Sequence, residues 1–252
     1  MQNKVLDKGY IELIGKMIST TEDKSYAQTL DEMCVENARV SFGTGLKGEE
    51  KDRKLLHYLL EHEHLTPFES AVFKFEIKLP LFIMQQFLRH RWSSFNQVSG
   101  RYTEEISEEF YVPDKFRAQD TKNKQGSTDI DLSSNEITST SYFFNRHDSS
   151  EVETIRDAYI GNLEFQQYTY RQLIKEGIAK ELARGILGTA FYTKFVWTVN
   201  ARSLINFLIL RLDSHAQWEI REYAKAVANI VKQEMPWTYE SLMKLFPNTP
   251  WP

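Results

Sequence analysis

The chain has 252 residues, 41% hydrophobic and 26% charged, enough for one large domain or two small ones and for a core that needs no staples. A formal charge of -4 argues against general affinity for nucleic acid or for an anionic membrane surface. A single cysteine, Cys34, excludes a disulfide within the chain, and the start, MQNKVLDKGYIELIG, has neither a basic opening nor an apolar run, so a cytoplasmic protein without a signal peptide is expected.

Residues 1–15 read as a short strand region. Residues 25–42 read as a helix, with Leu30, Met33, Cys34 and Val40 near helical spacing, and GTGLKGEE (43–50) reads as a loop. A second helix is expected over 49–64, with Leu55, Leu56, Leu59 and Leu60 as its apolar stripe. Thr66, Pro67 and Glu69 have the form of a capping box with Pro in the first turn, over a short turn only. AVFKFEIKL (71–79) then alternates, with Phe73, Phe75, Ile77 and Leu79 on one face and Lys74, Glu76 and Lys78 on the other, a strand with one buried face. Pro80 ends it, helical spacing resumes in LFIMQQFLRHR, and the segment up to Arg101 reads as a loop.

Only four of the 25 residues of 117–141 are apolar, which predicts an insertion or surface loop. A long helix is expected over 151–177, with Gly177 as its stop, and a short one over IAKELARGILG. FYTKFVWTVN (191–200) is β-branched and aromatic, hence a strand. ARSLINFLILRL is a helix apolar on nearly all sides, but Asn206 and Arg211 interrupt it far short of the roughly 20 apolar residues that span a bilayer. Asp213 or Ser214, with Gln217, should cap one final long helix. With no repeat and no linker, residues 1–252 are expected to form one α+β domain.

RHRWSSFNQVSGRY (89–102) concentrates cations in an acidic chain. Cations at a helix C-terminus complement its dipole, which accounts for one or two of Arg89, His90 and Arg91. It does not account for Arg101 beyond the loop. A Ser-Gly turn offers backbone N–H donors and arginine offers a forked donor, the pair of features a phosphate or carboxylate takes. A second set, Asn200, Arg202, Asn206 and Arg211, lies on the apolar helix, where a desolvated guanidinium needs a partner. That partner is a carboxylate such as Asp213 or Glu219, or a ligand. Arg202 and Asn206 share a face, while Arg211 lies about 140° round from Asn206, so the helix should point polar groups two ways. Arg184 is a further cation among apolar neighbours. His57, His62 and His64 cluster without a zinc spacing, so no metal is expected. Cys34 reads as a small core residue, and Ser99, with no His-acid relay, as a ligand contact rather than a nucleophile.

RHRWSSFNQVSGRY closely resembles the signature of the flavin-dependent thymidylate synthases: Arg-His-Arg, seven residues, Ser, then Arg-Tyr. ARVSF, HLTPFES, MQQFLRHR, LARGILG and WTVNARSLINFLILRLDSHAQWEIREYA resemble segments of the same family in the same order, over almost the whole chain except 117–141. The resemblance implies methylation of dUMP to dTMP, with 5,10-methylenetetrahydrofolate as carbon donor and FAD, reduced by NADPH, as hydride donor. It implies a compact α+β unit with a mixed or antiparallel sheet and long helices, assembling as a homotetramer with shared active sites.

By the same resemblance dUMP should meet Gln85, Gln86, Phe87, Leu88, Arg89, Gln97, Val98, Ser99, Gly100, Arg101, Arg184 and Arg211. FAD should meet Ser41, Thr66, Arg89, His90, Arg91, Gln97, Asn200, Arg202 and Asn206. His64 and Tyr102 belong to the pocket where flavin and folate stack. Arg211 is the expected catalytic group, its guanidinium favouring negative charge on the uracil ring. The absence of a cysteine in a nucleophile's company suits a mechanism that needs no enzyme thiolate. Gln97 stands where many relatives carry Glu and so is assigned binding only, and Gly188 stands where Pro is common, which loosens the backbone after Arg184. A nucleotide-binding regulator without turnover and an RNA-binding module are the competing readings; intact Arg184 and Arg211 weigh against the first and the acidic charge against the second.

Overall fold

The computed structural model describes residues 2–23, 25–139 and 151–252, leaving out residues 140 and 141 of the polar segment. In chain order the elements are β1 (Gln2–Val5), β2 (Gly9–Lys16), α1 (Leu30–Val40), α2 (Glu49–Glu61), β3 (Val72–Pro80), α3 (Leu81–Phe87), β4 (Ser93–Gln97), β5 (Arg117–Gln119), β6 (Ser127–Asp131), β7 (Glu136–Ser139), β8 (Glu151–Thr154), α4 (Ile155–Lys175), α5 (Lys180–Ala183), β9 (Tyr192–Asn200), α6 (Ala201–Leu212), α7 (Trp218–Glu234) and α8 (Pro236–Leu245). This is the α+β unit expected, with its main sheet antiparallel throughout in the order β1-β2-β3-β9-β4. Among the described residues no helix is long and apolar enough to cross a membrane.

The period-two pattern of β3 sends Phe73, Phe75, Ile77 and Leu79 into full burial, and β9 answers with Phe195, Trp197 and Val199 on the same face. Helices α3, α6 and α7 supply Phe87, Phe207 and Tyr223 to this core. The Phe87 ring lies 4.9 Å from Phe207, 5.3 Å from Trp197 and 5.6 Å from Phe195, centroid to centroid. Tyr223 also donates to the Lys78 carbonyl at 2.7 Å, and a Cβ on Gly9 would come within 2.0 Å of that hydroxyl, so the close approach of β2 to α7 needs glycine there. Cys34 is fully buried, and burial pushes its thiol pKa up, as a core residue requires.

Several boundaries differ from the sequence expectation. α1 begins at Leu30, not residue 25, because Thr29 accepts from Glu32 N and Glu32 reaches back to Thr29 N, a full capping box. At Thr66–Glu69 the chain makes a short 3-10 turn with no side-chain cap, and Glu69 turns instead to Arg202. Residues 93–97 are not loop but the edge strand β4, since β9 offers an open edge and Phe95 packs on Phe195 and Trp197. The described part of the polar segment is not all loop either: Arg117 pairs opposite Asp131 in the β5–β6 hairpin, and β7 pairs with β8. The helix expected from 151 therefore starts at Ile155, capped by Thr154, whose hydroxyl accepts from Asp157 N at 3.1 Å. The final long helix is two helices, because Pro236 lacks the N–H needed to continue α7; Asp31 accepts from the Trp237 and Thr238 amides at the start of α8. Asp213 caps nothing, its carboxylate accepting from His215 N at 2.8 Å, and Gln217 makes no side-chain cap.

Candidate active site

α3 is held by Ile83, Met84 and Phe87, and it stops after Phe87, so the chain leaves the core as it reaches the Arg-His-Arg triplet. Arg89 and Arg91 are exposed, while His90 turns inward to 7% exposure with its ring 5.0 Å from Phe207. Ser93 donates to the His90 carbonyl at 2.6 Å and fixes this exit. Opposite stands α6, whose N-terminus Asn200 caps by accepting from Ser203 N at 2.9 Å. Between the two lies a cleft of about 530 Å³ lined by Arg89, His90, Arg91, Arg202, Asn206 and Arg211, with Leu65, Trp92, Ser203 and Leu210.

The two-way helix is not what the structure has: Asn206 and Arg211 line the same cleft. Helical side chains lean toward the N-terminus, and the long Arg211 stem carries its guanidinium round to α3. There Nε donates to His90 Nε2 at 3.1 Å, and the terminal nitrogens sit 3.4 and 3.5 Å from Gln86 O and Oε1. Neither Asp213 nor Glu219 pairs with Arg211; among the described residues it has no carboxylate partner. Burial lowers its pKa. Arg202, by contrast, pairs with Glu69 at 2.5 Å. Arg89 and Arg91 also lack a carboxylate partner among the described residues.

His90 has its pKa lowered to about 4, by burial first and by the Arg211 charge second. The ring is therefore neutral near pH 7, and because Nε2 accepts from Arg211, its proton is on Nδ1. An unfolded imidazole titrates near ~6.5, so between about 4 and ~6.5 the unfolded chain holds a proton that the folded one does not. This contribution to stability is complete above that window and is lost as pH falls through it. Melting temperatures across the window should fall less steeply for His90→Asn than for the wild type; parallel acid-side losses would disprove the assignment.

The other expected ligand residues fall in two further clefts. Ser41, His64 and Thr66 line one of about 640 Å³, which shares Leu65 and Arg202 with the first. Gln97, Val98, Ser99, Gly100 and Arg184 line another, of about 700 Å³, which shares no residue with the first. A Cβ on Gly100 would lie 2.2 Å from Ile106 Cδ1 and 3.2 Å from Arg184 Cδ, so a larger residue there would displace the Ile106 side chain and press on that arginine. Gln97 donates to Thr193 at 2.9 Å. Arg101 pairs with Glu181 at 3.4 Å, with Tyr102 exposed beside it. Within one chain the expected dUMP set is thus divided between Gln86, Arg89 and Arg211 on one side and 97–100 with Arg184 on the other.

Two expected contacts are narrowed by the structure. Phe87 is fully buried in the core, so its side chain cannot meet a ligand. Asn200 spends its amide oxygen on the α6 cap, leaving only its NH2 group. Tyr58 stacks on His62 at 4.0 Å and sets His64 apart, 6.3 Å from His62. Gln85 and Leu88 are exposed beside the cleft's α3 wall. The sequence alone did not mark Trp92 or Leu210 as cleft residues. Trp92, 76% exposed and directly after the arginines, carried the clearest signal.

The family model described as "Thymidylate synthase complementing protein" matches residues 23–237. A flavin-dependent thymidylate synthase of Thermosipho africanus is 43% identical over 244 residues, covering 97% of this chain and 95% of that protein. One from Kosmotoga olearia is 45% identical over 246 residues, covering 96% and 94%. Among solved structures, a UMP/dUMP methylase, PolB, from Streptomyces cacaoi with 5-Br UMP bound superposes with a TM-score of 0.73 at 27% identity, covering 96% of this chain and 97% of that one. With a near full-length match on both sides and Arg89 and Arg91 of the signature in one cleft with Arg211, the chain belongs to the flavin-dependent thymidylate synthases, enzymes that methylate dUMP.

Proposed function

We propose that this chain converts dUMP to dTMP in the cytoplasm, working as a single domain over its whole length, with 5,10-methylenetetrahydrofolate as carbon donor, FAD as the resident cofactor and NADPH as its reductant. The observation that carries this is the cleft at α3 and α6. Three arginines, Arg89, Arg91 and Arg211, meet there with no carboxylate partner among the described residues, beside the exposed Trp92 and Leu210. Unpaired guanidiniums next to an aromatic wall suit a phosphate joined to a planar ring. That donor set fits a flavin dinucleotide, with Arg89, His90, Arg91, Arg202 and Asn206 as its holders and Ser41 and Thr66 in the adjoining cleft. Bound and reduced, the flavin supplies the hydride.

The chain's own residues do the rest. Arg211, aimed by His90 and Gln86, keeps its remaining terminal N–H groups for the uracil ring and stabilises negative charge developing there. Ser99, Gly100 and Arg184 offer backbone and guanidinium donors for the nucleotide phosphate. Because these stand in a cleft that shares no residue with the Arg211 cleft, a homotetramer, in which one copy brings Arg184 to another copy's Arg211, completes the site. His64 and Tyr102 remain as the ring-stacking pair for folate.

The test is tritium release from dUMP labelled at C5, on protein purified yellow with bound flavin. Release that depends on folate and reductant is expected. A colourless protein that releases no tritium when FAD is added overturns the reading.

A further inference from the structure

A row of amides runs from Arg211 to the polar hairpin whose role the sequence left open. Arg211 donates to Gln86 Oε1 at 3.5 Å, Gln86 Nε2 donates to Gln217 Oε1 at 2.6 Å, and Gln217 Nε2 donates to Glu219 Oε2 at 2.9 Å. The second oxygen of Glu219 accepts from Arg117, at the start of β5, and from the Tyr111 hydroxyl at 3.4 Å. Glu219 is 5% exposed, and the Arg117 guanidinium also lies 4.5 Å over the Trp218 ring.

The direction of this row follows from its end. An ionised carboxylate can only accept, so Gln217 must turn its NH2 group to Glu219 and its oxygen to Gln86. Gln86 must then present its NH2 group to Gln217, which leaves its oxygen for Arg211. Each link polarises the next, and neither amide can flip without breaking a bond. The row depends on Glu219 staying charged while buried, which a carboxylate does only beside a counter-charge. Arg117 is that charge. Burial and the neighbouring Glu219 raise the Tyr111 pKa, so its phenol stays a donor.

We propose that Glu219 is a positioning residue for Arg211, acting through Gln217 and Gln86, and that the β5–β6 hairpin serves the active site by bringing Arg117 to Glu219. The inference rests on the dUMP-methylating role of Arg211 given above. It explains why a polar segment that contributes almost nothing to the core is nonetheless folded into a hairpin against the start of α7.

Gln217→Leu cuts the row in its middle and leaves the Arg117–Glu219 pair, and so the hairpin's docking, untouched. Turnover should fall by about tenfold to a hundredfold, the scale of an ångström's misplacement, while KM for dUMP and flavin content change little. Glu219→Gln should do the same, and the double variant should be no worse than the worse single one, because both break one row. A readout free of turnover comes from His90, whose ring should titrate above its value of about 4 in Gln217→Leu as Arg211 relaxes from it. Unchanged turnover and an unmoved His90 titration in Gln217→Leu overturn the proposal, as do losses that multiply in the double variant. A wild type that makes no dTMP sinks the functional reading instead, and the His90 titration alone then decides the relay.

Discussion

Arg211→Ala will lower dTMP formation by at least about a thousandfold, and Arg211→Lys by nearly as much, with the folded assembly intact. The guanidinium does two things at once. Its Nε is tied to His90 and its terminal nitrogens reach beyond Gln86 toward the cleft. An ammonium is one point on a flexible stem: it can bond the histidine or face the uracil ring, not both with fixed geometry. Arg202, the other cation of α6, is paired with Glu69, so loss of Arg211 removes the guanidinium free to favour negative charge on the ring. The fold is spared because Arg211 is only partly buried and pairs with no carboxylate among the described residues. Turnover measured beside gel filtration and circular dichroism tests this; Arg211→Lys within about tenfold of wild-type turnover would refute the role.

Phe87→Ala will destabilise the protein by about 3 to 5 kcal/mol, the range for emptying a buried aromatic site. The Phe87 ring touches Phe195, Trp197 and Phe207 and is fully buried, so little can collapse into the space. The same residue anchors the end of α3, with His90 N bonded to its carbonyl at 2.9 Å, so the variant should lose flavin more readily as well. Denaturant unfolding followed by two probes measures the first effect, and flavin retained through dialysis the second. A stability loss under about 1 kcal/mol would show that the side chain is not the core residue described.

The resemblance placed Phe87 with Gln86 and Arg89 among the dUMP contacts, but neighbours in sequence do not share a face on a helix. Successive residues point about 100° apart, so Gln86 turns to Arg211 and Gln217 and Phe87 to the core. Asn200 is narrowed to its NH2 group for a related reason. Its amide is drawn to the open amides of α6 in a strand-to-helix turn, a local bond that single-residue chemistry does not foresee. The polar hairpin shows the opposite limit. Nothing in the periodicity of 117–131 specifies pairing, and Arg117 becomes important only where Glu219, a hundred residues on, is brought beside it.

By itself the sequence determined what rests on period and composition. The alternation of β3 and β9 and the apolar run of α6 are written in neighbouring residues, because burial of one face is a local demand repeated along the chain. It also named the candidates for the chemistry, since Arg89 and Arg91 crowd together in an acidic chain and Arg184 and Arg211 stand among apolar neighbours. Only the tertiary structure decided how those cations are grouped: Arg211 with His90 and Gln86, Arg202 with Glu69, and Arg184 in a separate cleft. Pairings across more than a hundred residues depend on how helices and strands pack, and a guanidinium several ångströms from its own backbone finds a partner that no spacing along the chain can name.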